Sequence, residues 1–327
     1  MFTRRHFHAS ALALCTASLR PAQAQGVYPN RLVKLIVPFA AGGGPDVMTR
    51  KVTPKLAEIL GQNVVVENVV GAGGILAGQT AARAAPDGYT ILLGASTHLT
   101  QKAMLPNVKF DPLKDFAPIT RTSYTPSMLV VSADSPIRTL QDLLEAARRD
   151  PGKLNYASGG VGSAAHLAGA ALAVSTGINV VHVPYKGSVE IVPSILSGTT
   201  QFAFPVASTA IPQIINGKIR ALASSGAARM PAYPNLPTLR EALGKDELAM
   251  DAWGGFWAPA GTPAEVVDVL FRAFAKLYQD PQVRADNEAA GSLVALSASP
   301  SEFHQFMESE TLKFQRLVKS ANLSVTN

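Results

Sequence analysis

The sequence predicts an α/β protein built from two α/β units, and three observations support that fold class. Short β-rich runs alternate with helix-length stretches through most of the chain. The 327 residues are 47% hydrophobic, which is enough for a large core and about two domains. The single cysteine, Cys15, lies in a segment that we expect to be removed, so packing and not disulfides must stabilise the fold.

The first unit is predicted by strand, helix, strand, helix and strand in that order. The segments are LVKLIVPF, PDVMTRKVTPKLAEIL, NVVVEN, GILAGQTAARAA and YTILLGAS. These lengths are typical of a parallel sheet with crossover helices.

The alternation resumes after Thr122 and predicts a second unit. Its segments are SMLVVSA, TLQDLLEAARRD, KLNYASG, SAAHLAGAALAVSTG, NVVHVPY, VEIVPSILSG, TQFAFPV and KIRALASSG. Because proline lacks a backbone N–H, we expect Pro193, Pro205 and Pro212 at strand ends and helix starts.

The tail from Trp253 has a different character. WGGFWAP predicts a strand, followed by a helix from Pro263 to Gln279, a short charged helix and the strand LVALS. A last amphipathic helix is predicted from Pro300 to about Ser320. Its apolar stripe consists of Phe303, Phe306, Leu312, Phe314 and Leu317.

Residues 1–24 are predicted to be a signal peptide, which implies a periplasmic protein. Basic residues precede an apolar run from Ala9 to Ala17, and Ala22-Gln23-Ala24 fits a cleavage site. The run is far shorter than the roughly 20 residues that span a bilayer. The segment Thr3-Arg4-Arg5-His6-Phe7 resembles a twin-arginine signal, so twin-arginine and general secretory export both stay open.

The charge of the chain disfavours nucleic acid as a partner. Removal of the signal peptide takes away Arg4, Arg5 and Arg20, three of the 29 cationic residues, and none of the 23 acidic ones. No Lys/Arg cluster remains to release phosphate counterions. The remaining histidines are far apart in sequence, so we predict neither a metal nor a cofactor.

Five glycine-rich or hydroxyl-rich loops follow predicted strands and form the candidate ligand site. They are Phe39–Asp46, Gly71–Gly74, Gly94–His98, Ser158–His166 and Tyr185–Ser188. The carboxyl ends of parallel strands meet at one sheet edge, where ligands collect.

The first of these loops is not a phosphate cradle. Val47 stands where a dinucleotide fingerprint needs its third glycine, and no Lys-Ser/Thr pair follows the glycines. Two interpretations stay open. Either Gly44 caps a helix that begins at Pro45 and attracts an anion, or Asp46 caps the turn internally.

Catalysis is disfavoured although Ser96 and Ser163 each lie near a histidine. Neither serine lies in a Gly-x-Ser-x-Gly elbow, and no acid stands where it would orient a histidine. We therefore predict no enzyme and no catalytic residues, with an exported serine hydrolase as a distant alternative.

Several ordered segments together resemble the periplasmic substrate-binding proteins of tripartite tricarboxylate transporters, the Bug family. The matching stretches include IVPFAAGGGPD, VVVENVVGAGG, AARAAPDGYTILLG, FDPLKDFAPIT, LNYASGGVGSAAHLAG, VVHVPYKGS, KIRALASSGAAR and WGGFWAPAGTP. The resemblance implies a type II periplasmic-binding-protein fold of the α/β class, in which two lobes close over a small organic acid like a Venus flytrap. Lobe 1 would comprise residues 25–125 and 252–327, and lobe 2 residues 126–251. It also implies a monomer whose partners are the ligand and the transporter's membrane subunits.

The resemblance further implies a set of ligand-binding residues. Lobe 1 would contribute Phe39, Ala40, Ala41, Gly42, Ser96 and Thr97. Lobe 2 would contribute Ser158, Gly159, Gly162, Ser163, His166, Tyr185, Pro205, Val206 and Ala207. Family members hold a carboxylate through backbone amides, hydroxyls and waters, and the five loops here contain no arginine.

One departure from the family pattern concerns ligand identity. Pro205 and Val206 stand where many relatives have an Asp-Asn pair, whose acid can bind a ligand ammonium. We therefore predict a carboxylate without an amino group: a dicarboxylate, a tricarboxylate or, favoured by an apolar wall that includes Ala207, an aromatic carboxylate. An inward Glu190 would repel a second carboxylate. The alternative function is a periplasmic ligand sensor that signals through a membrane protein.

Overall fold

The computed structural model describes residues 28–105, 107–320 and 323. The predicted signal peptide lies outside these residues. Within them, no helix combines the length and the apolar character needed to cross a membrane.

The first part of the chain alternates strands and helices as predicted, with a 3-10 turn at Ala72–Gly74. In chain order the elements are β1 (Val33–Val37), α1 (Gly44–Leu60), β2 (Val64–Asn68), α2 (Ile75–Ala82), β3 (Thr90–Ala95), α3 (Ser96–Met104) and β4 (Phe116–Pro126). The first strand is nearly fully buried, in agreement with its continuous apolar run.

The second part continues the alternation, with 3-10 turns at Ser188–Glu190 and Asp246–Leu248. Its elements are β5 (Met128–Ser132), α4 (Leu140–Arg149), β6 (Asn155–Ser158), α5 (Ala164–Thr176), β7 (Val181–Pro184), α6 (Ile191–Leu196), β8 (Phe202–Ala203), α7 (Ala207–Ile215), β9 (Ile219–Ser224) and α8 (Leu239–Leu243). Side chains cap three of these helix starts, including those of α4 and α5. Thr139 accepts from the Asp142 N–H, and Ser163 accepts from the His166 N–H.

The tail forms β10 (Asp251–Pro259), α9 (Ala264–Gln279), α10 (Pro281–Ala289), β11 (Leu293–Val294) and α11 (Pro300–Ser320). Phe256 of β10 stacks on Phe274 of α9, with 4.0 Å between ring centroids. Trp253 instead packs against Phe303 and Phe306 of α11. The two rings thus lie in separate apolar clusters.

The strands of the described residues form two mixed sheets. The first sheet has the order β11-β4-β10-β3-β1-β2, and the second has the order β7-β6-β8-β5-β9. Strand β1 is parallel to both neighbours, whereas β10 is antiparallel to β3 and β4. In the second sheet, β5 is antiparallel to β8 and β9. The three strands of the first predicted unit, β1, β2 and β3, are thus parallel as expected, and the tail strand β10 enters antiparallel between β3 and β4.

The chain passes between the sheets twice. It leaves the first sheet between Pro126 and Met128, and it returns between Ser224 and Asp251. Pro126 pairs with Asp251, so the two passages lie side by side. The exact lobe boundaries stay a prediction.

Several local expectations differ from the structure. Helix α1 begins at Gly44 with Gly43 as its N-cap, one residue earlier than expected. Pro212 lies inside α7 instead of at its start. In α11, Leu312 is exposed, and Met307 and Val318 are buried in the stripe that it was expected to join.

Candidate functional site

A cleft lies between the two sheets, and all five candidate loops contribute to it. The loops supply Phe39, Ala40, Pro45, Gly71, Gly73, Gly74, Ala95, Ser96, Thr97, Gly159, Ser163, Lys186, Gly187 and Ser188. The passages between the sheets add Thr122, Ser123, Thr125, Ala252, Trp253 and Gly254. Loops that are far apart in sequence thus meet in one concave site.

Four helices of nine or more residues begin at this cleft. Pro45 of α1, Ser96 of α3, Ala164 of α5 and Ser208 of α7 lie in first turns and line it. The first N–H groups of a helix have no intrahelical acceptor, and the helix dipole adds partial positive charge there. The cleft therefore offers N–H donors and a positive field without an arginine.

The loop before α1 is closed by Asp46. Its carboxylate accepts the Gly42 N–H at 2.9 Å, the Asn68 side-chain amide at 2.7 Å and the Arg50 Nε at 3.0 Å. Burial alone would raise the pKa of Asp46, but the hydrogen bonds from Asn68, Gly42 and Arg50 outweigh it and lower the pKa below its usual value. Asp46 is only 2% exposed and caps the loop, so it does not face the ligand space.

In the loop before α5, a glycine N–H also donates to a side chain of the following helix, but the acceptor is neutral. The Gly162 N–H donates to His166 Nδ1 at 3.1 Å, four residues later, and Ser163 is the N-cap. Gly42 and Gly162 each precede the N-cap, and each has a φ of 79°. Burial lowers the pKa of His166 to about 4, so the imidazole is neutral at pH 7 and can accept this hydrogen bond.

A histidine pair lies beneath the second loop. His166 and His182 stack with 4.0 Å between centroids, and His182 Nε2 lies 2.6 Å from Ser158 Oγ. Ser158 is fully buried and also contacts Gly160. Because that hydroxyl cannot reach the cleft, this Ser–His contact has a structural role and does not supply a nucleophile.

A second acid accepts N–H groups of the Tyr185–Ser188 loop. Glu190 accepts the N–H groups of Lys186 and Gly187 at 2.9 and 3.2 Å, so its carboxylate is held by its own loop. Lys186 is the one charged side chain among the described residues that line the cleft, and it is exposed at the rim.

Two contacts near the cleft join elements of the first part of the chain to elements of the second part. The Thr97 hydroxyl donates to the Gly162 carbonyl at 3.2 Å. Gly44 approaches α7 so closely that an added Cβ would lie 2.9 Å from the Cβ of Ser208. The two sides of the cleft are therefore in contact in this structure.

Seven of the predicted ligand-binding residues line the cleft: Phe39, Ala40, Ser96, Thr97, Gly159, Ser163 and Val206. The other eight lie outside its lining: Ala41, Gly42, Ser158, Gly162, His166, Tyr185, Pro205 and Ala207.

These eight residues have other partners or positions. Ala41 is exposed outside the cleft, and Ala207 is fully buried. Tyr185 donates its N–H to the Ser158 carbonyl, and the Pro205 carbonyl accepts from Met128. Gly42, Ser158, Gly162 and His166 bond within their own loops, as described above. The expected apolar wall of Pro205, Val206 and Ala207 is thus reduced to Val206.

Sequence reasoning missed a second group of lining residues. Thr122, Ser123, Thr125, Trp253 and Gly254 could have been found, since they flank the predicted passages between lobes. Phe256, Tyr278 and Asn287 carry no local signal, because only the packing of the tail on the first sheet brings them to the cleft. Within the described ranges, no group of three or more His, Cys, Asp or Glu side chains could hold a metal ion.

Comparisons with known proteins agree with this architecture. The model of the tripartite tricarboxylate transporter family receptor matches residues 48–323. A UPF0065 protein from the tcbD-tcbE intergenic region of Pseudomonas sp. strain P51 is 35% identical over 321 residues, covering 98% of this chain and 95% of the relative.

Two solved structures are similar over almost their whole length. An R. palustris protein with adipate has a TM-score of 0.86 and 29% identity, with 90% of this chain and 98% of that chain covered. The periplasmic binding protein BugD has a TM-score of 0.85 and 32% identity, with 91% and 99% covered.

Proposed function

Because the chain belongs to the tripartite tricarboxylate transporter receptor family, we propose that it is a periplasmic solute-binding protein that captures a small organic carboxylate without an amino group. It would deliver this ligand, as a monomer, to the membrane subunits of a transporter of the same type.

The convergence of four helix N-termini on one cleft is the observation that carries the proposal. Each favourable contact between an anion and a helix end contributes about 0.3 to 1 kcal/mol, and up to about 2 kcal/mol when partly buried. Hydrogen bonds to a charged group contribute about 1.5 to 3 kcal/mol each. Three or four of them would supply much of the roughly 8 kcal/mol of a micromolar complex.

The absence of acids among the described lining residues supports a ligand without an amino group. Asp46 and Glu190 are the acids of the flanking loops, and their carboxylates accept N–H groups of those loops. An ammonium group would therefore be desolvated in the cleft without a partner, which is costly.

The proposed mechanism is closure of two lobes over the ligand. Residues 25–125 and 252–327 would move against residues 126–251, with the paired passages at Pro126 and Asp251 as the hinge. The solved relative that binds adipate supports a carboxylate as the ligand class.

A thermal-shift screen of the protein tests the proposal. The panel contains monocarboxylates, dicarboxylates, tricarboxylates, aromatic carboxylates and amino acids. At one hundred times Kd, a ligand adds about 2.7 kcal/mol of apparent stability. If only amino acids stabilise the protein, the prediction that the ligand lacks an amino group is wrong. If no carboxylate stabilises it, the proposed function is wrong.

A further inference from the structure

One part of the cleft lining is contributed by the first sheet and by the tail helices α9 and α10. We call it the deep crevice and define it by Leu93, Gly254, Phe256, Tyr278 and Asn287, all of which line the same cavity as the helix N-termini. Leu93, Phe256, Tyr278 and Asn287 are each less than 9% exposed. All five residues belong to the first sheet or to α9 and α10, so the crevice lies within one side of the cleft.

Gly254 places no side chain in the crevice that it borders. A Cβ at this position would be 3.8 Å from Ser123 Oγ, 3.9 Å from Leu93 Cδ1 and 4.0 Å from the Gly94 carbonyl, which are ordinary contact distances. Larger side chains at this position would extend into the space that Leu93 borders. Side chains of increasing size at position 254 would therefore narrow the crevice step by step.

The crevice contains polar groups but no charge. Burial raises the pKa of the Tyr278 hydroxyl to about 12, so it is neutral at any working pH. The Asn287 amide donates to the Val283 carbonyl at 2.7 Å. The only charged side chain in the described lining, Lys186, is exposed on a loop of the other sheet. A carboxylate in this crevice would have no cation beside it, and none of the five residues that define the crevice lies in the first turn of a helix. Its burial would therefore be poorly compensated.

We propose that the ligand is a monocarboxylate whose uncharged, largely apolar body occupies the deep crevice while its carboxylate binds at the helix N-termini. This inference rests on the proposed function and narrows its ligand class. The apolar and aromatic walls contributed by Leu93 and Phe256 favour a hydrocarbon or aromatic body. A second carboxylate at the far end of the ligand is selected against.

Calorimetric titration with hexanoate and adipate tests the proposal on the unmodified protein. The two ligands have the same carbon chain and differ in one terminal carboxylate. We expect hexanoate and 3-phenylpropanoate to bind at least tenfold more tightly than adipate. Equal or tighter binding of adipate would overturn the monocarboxylate inference and leave the proposed function standing. If neither hexanoate nor adipate nor any other carboxylate binds, the proposed function itself fails.

A graded series at Gly254 tests where the body lies. In Gly254→Ala and Gly254→Val, we expect the ratio of hexanoate affinity to acetate affinity to fall in that order, by at least fivefold for valine. Thermal unfolding of each variant shows whether it is folded. If the ratio of hexanoate affinity to acetate affinity is unchanged in folded variants, the ligand body lies outside the deep crevice and the proposal is wrong. A preference of the unmodified protein for adipate over hexanoate would also contradict the proposal.

Discussion

The loops before α1 and α5 are built on the same backbone plan with different chemistry. In each, a glycine with a φ of 79° precedes the N-cap and donates its N–H to the side chain four residues later. The acceptor is the Asp46 carboxylate in one loop and the His166 imidazole in the other. Positive φ favours glycine at both positions.

The surroundings explain the different acceptors. Asp46 receives Arg50 and Asn68 in addition to Gly42, so its charge is compensated. His166 is buried against the neutral ring of His182. A carboxylate at that position would be an uncompensated negative charge beside a site for anions. Each loop thus provides an acceptor for its own glycine N–H without adding an uncompensated negative charge to the cleft.

The largest effect is expected when the charged acceptor is removed. Asp46→Ala leaves the Gly42 N–H without its acceptor and removes one of the two hydrogen bonds that the Asn68 side-chain amide donates. We expect the free energy of unfolding to fall by about 3 kcal/mol, from loss of two to three charge-assisted hydrogen bonds. Urea unfolding measures this loss. Asp46→Asn, which keeps an acceptor for Gly42, is the control and should lose less. A loss below 0.5 kcal/mol for alanine would show that the network does not hold the loop.

The next effect concerns the first helical residue, which is Gly44 in α1 but Ala164 in α5. A Cβ at Gly44 would collide with Ser208 across the cleft. Overpacking of this kind costs about 1 to 3 kcal/mol, so Gly44→Ala should weaken carboxylate binding about 5-fold to 150-fold.

The stability of the ligand-free protein separates this effect from misfolding. It should not fall in Gly44→Ala if the lobes can open, because alanine is the better helix former. The double variant Gly44→Ala, Ser208→Gly should recover affinity. Failure of this rescue would show that contact across the cleft does not limit binding.

The next smaller effect is on the pH dependence of the free energy of unfolding, which should differ between the acceptors Asp46 and His166. The pKa of His166 is lowered to about 4 by burial, whereas an unfolded histidine titrates near 6.5. Between these values the unfolded state binds a proton that the folded state does not, so stability falls as the pH falls. The slope from His166 should be about 1.4 kcal/mol per pH unit. The pKa of Asp46 is lowered instead, so its contribution is lost only below about pH 4.

Urea unfolding between pH 7 and pH 4.5, compared between the unmodified protein and a His166 variant, checks this prediction. His98 and His182 also have lowered pKa values, because both are buried, and they contribute to the total slope. The His166→Asn variant should therefore show a shallower pH dependence than the unmodified protein. Parallel curves would mean that His166 does not stay neutral in the folded state.

The smallest effect is expected in the third loop. Glu190 is partly exposed, and a glutamine oxygen can accept the same N–H groups of Lys186 and Gly187. Glu190→Gln should therefore change the free energy of unfolding by less than about 0.5 kcal/mol. If Glu190→Gln lowers the free energy of unfolding as much as Asp46→Ala does, the burial of the acceptor does not determine its contribution to stability.

The sequence predicted the alternation of elements and the five loops, because both depend on local periodicity and glycine content. It did not predict β4, whose residues Phe116–Pro126 include two prolines and show no regular burial alternation. The position of β10 and the deep crevice depend on contacts between the tail and a sheet formed more than one hundred residues earlier.

Within the candidate site, the same limit applies. Ser163 was predicted as a ligand-binding residue, and in the structure it lines the cleft and also caps α5. The orientation of Asp46 stayed open because its partner Asn68 lies on a neighbouring strand. Tyr278 and Asn287 could not be found, since nothing near them in sequence resembles a ligand loop.

We propose that the cleft recognises the negative charge of a carboxylate through helix N-termini. Calorimetric titration with hexanoate and hexanamide, which differ only in the head group, tests it most directly. We expect hexanoate to bind at least one hundredfold more tightly, equivalent to about 2.7 kcal/mol. Equal affinity for the neutral amide would contradict the claim.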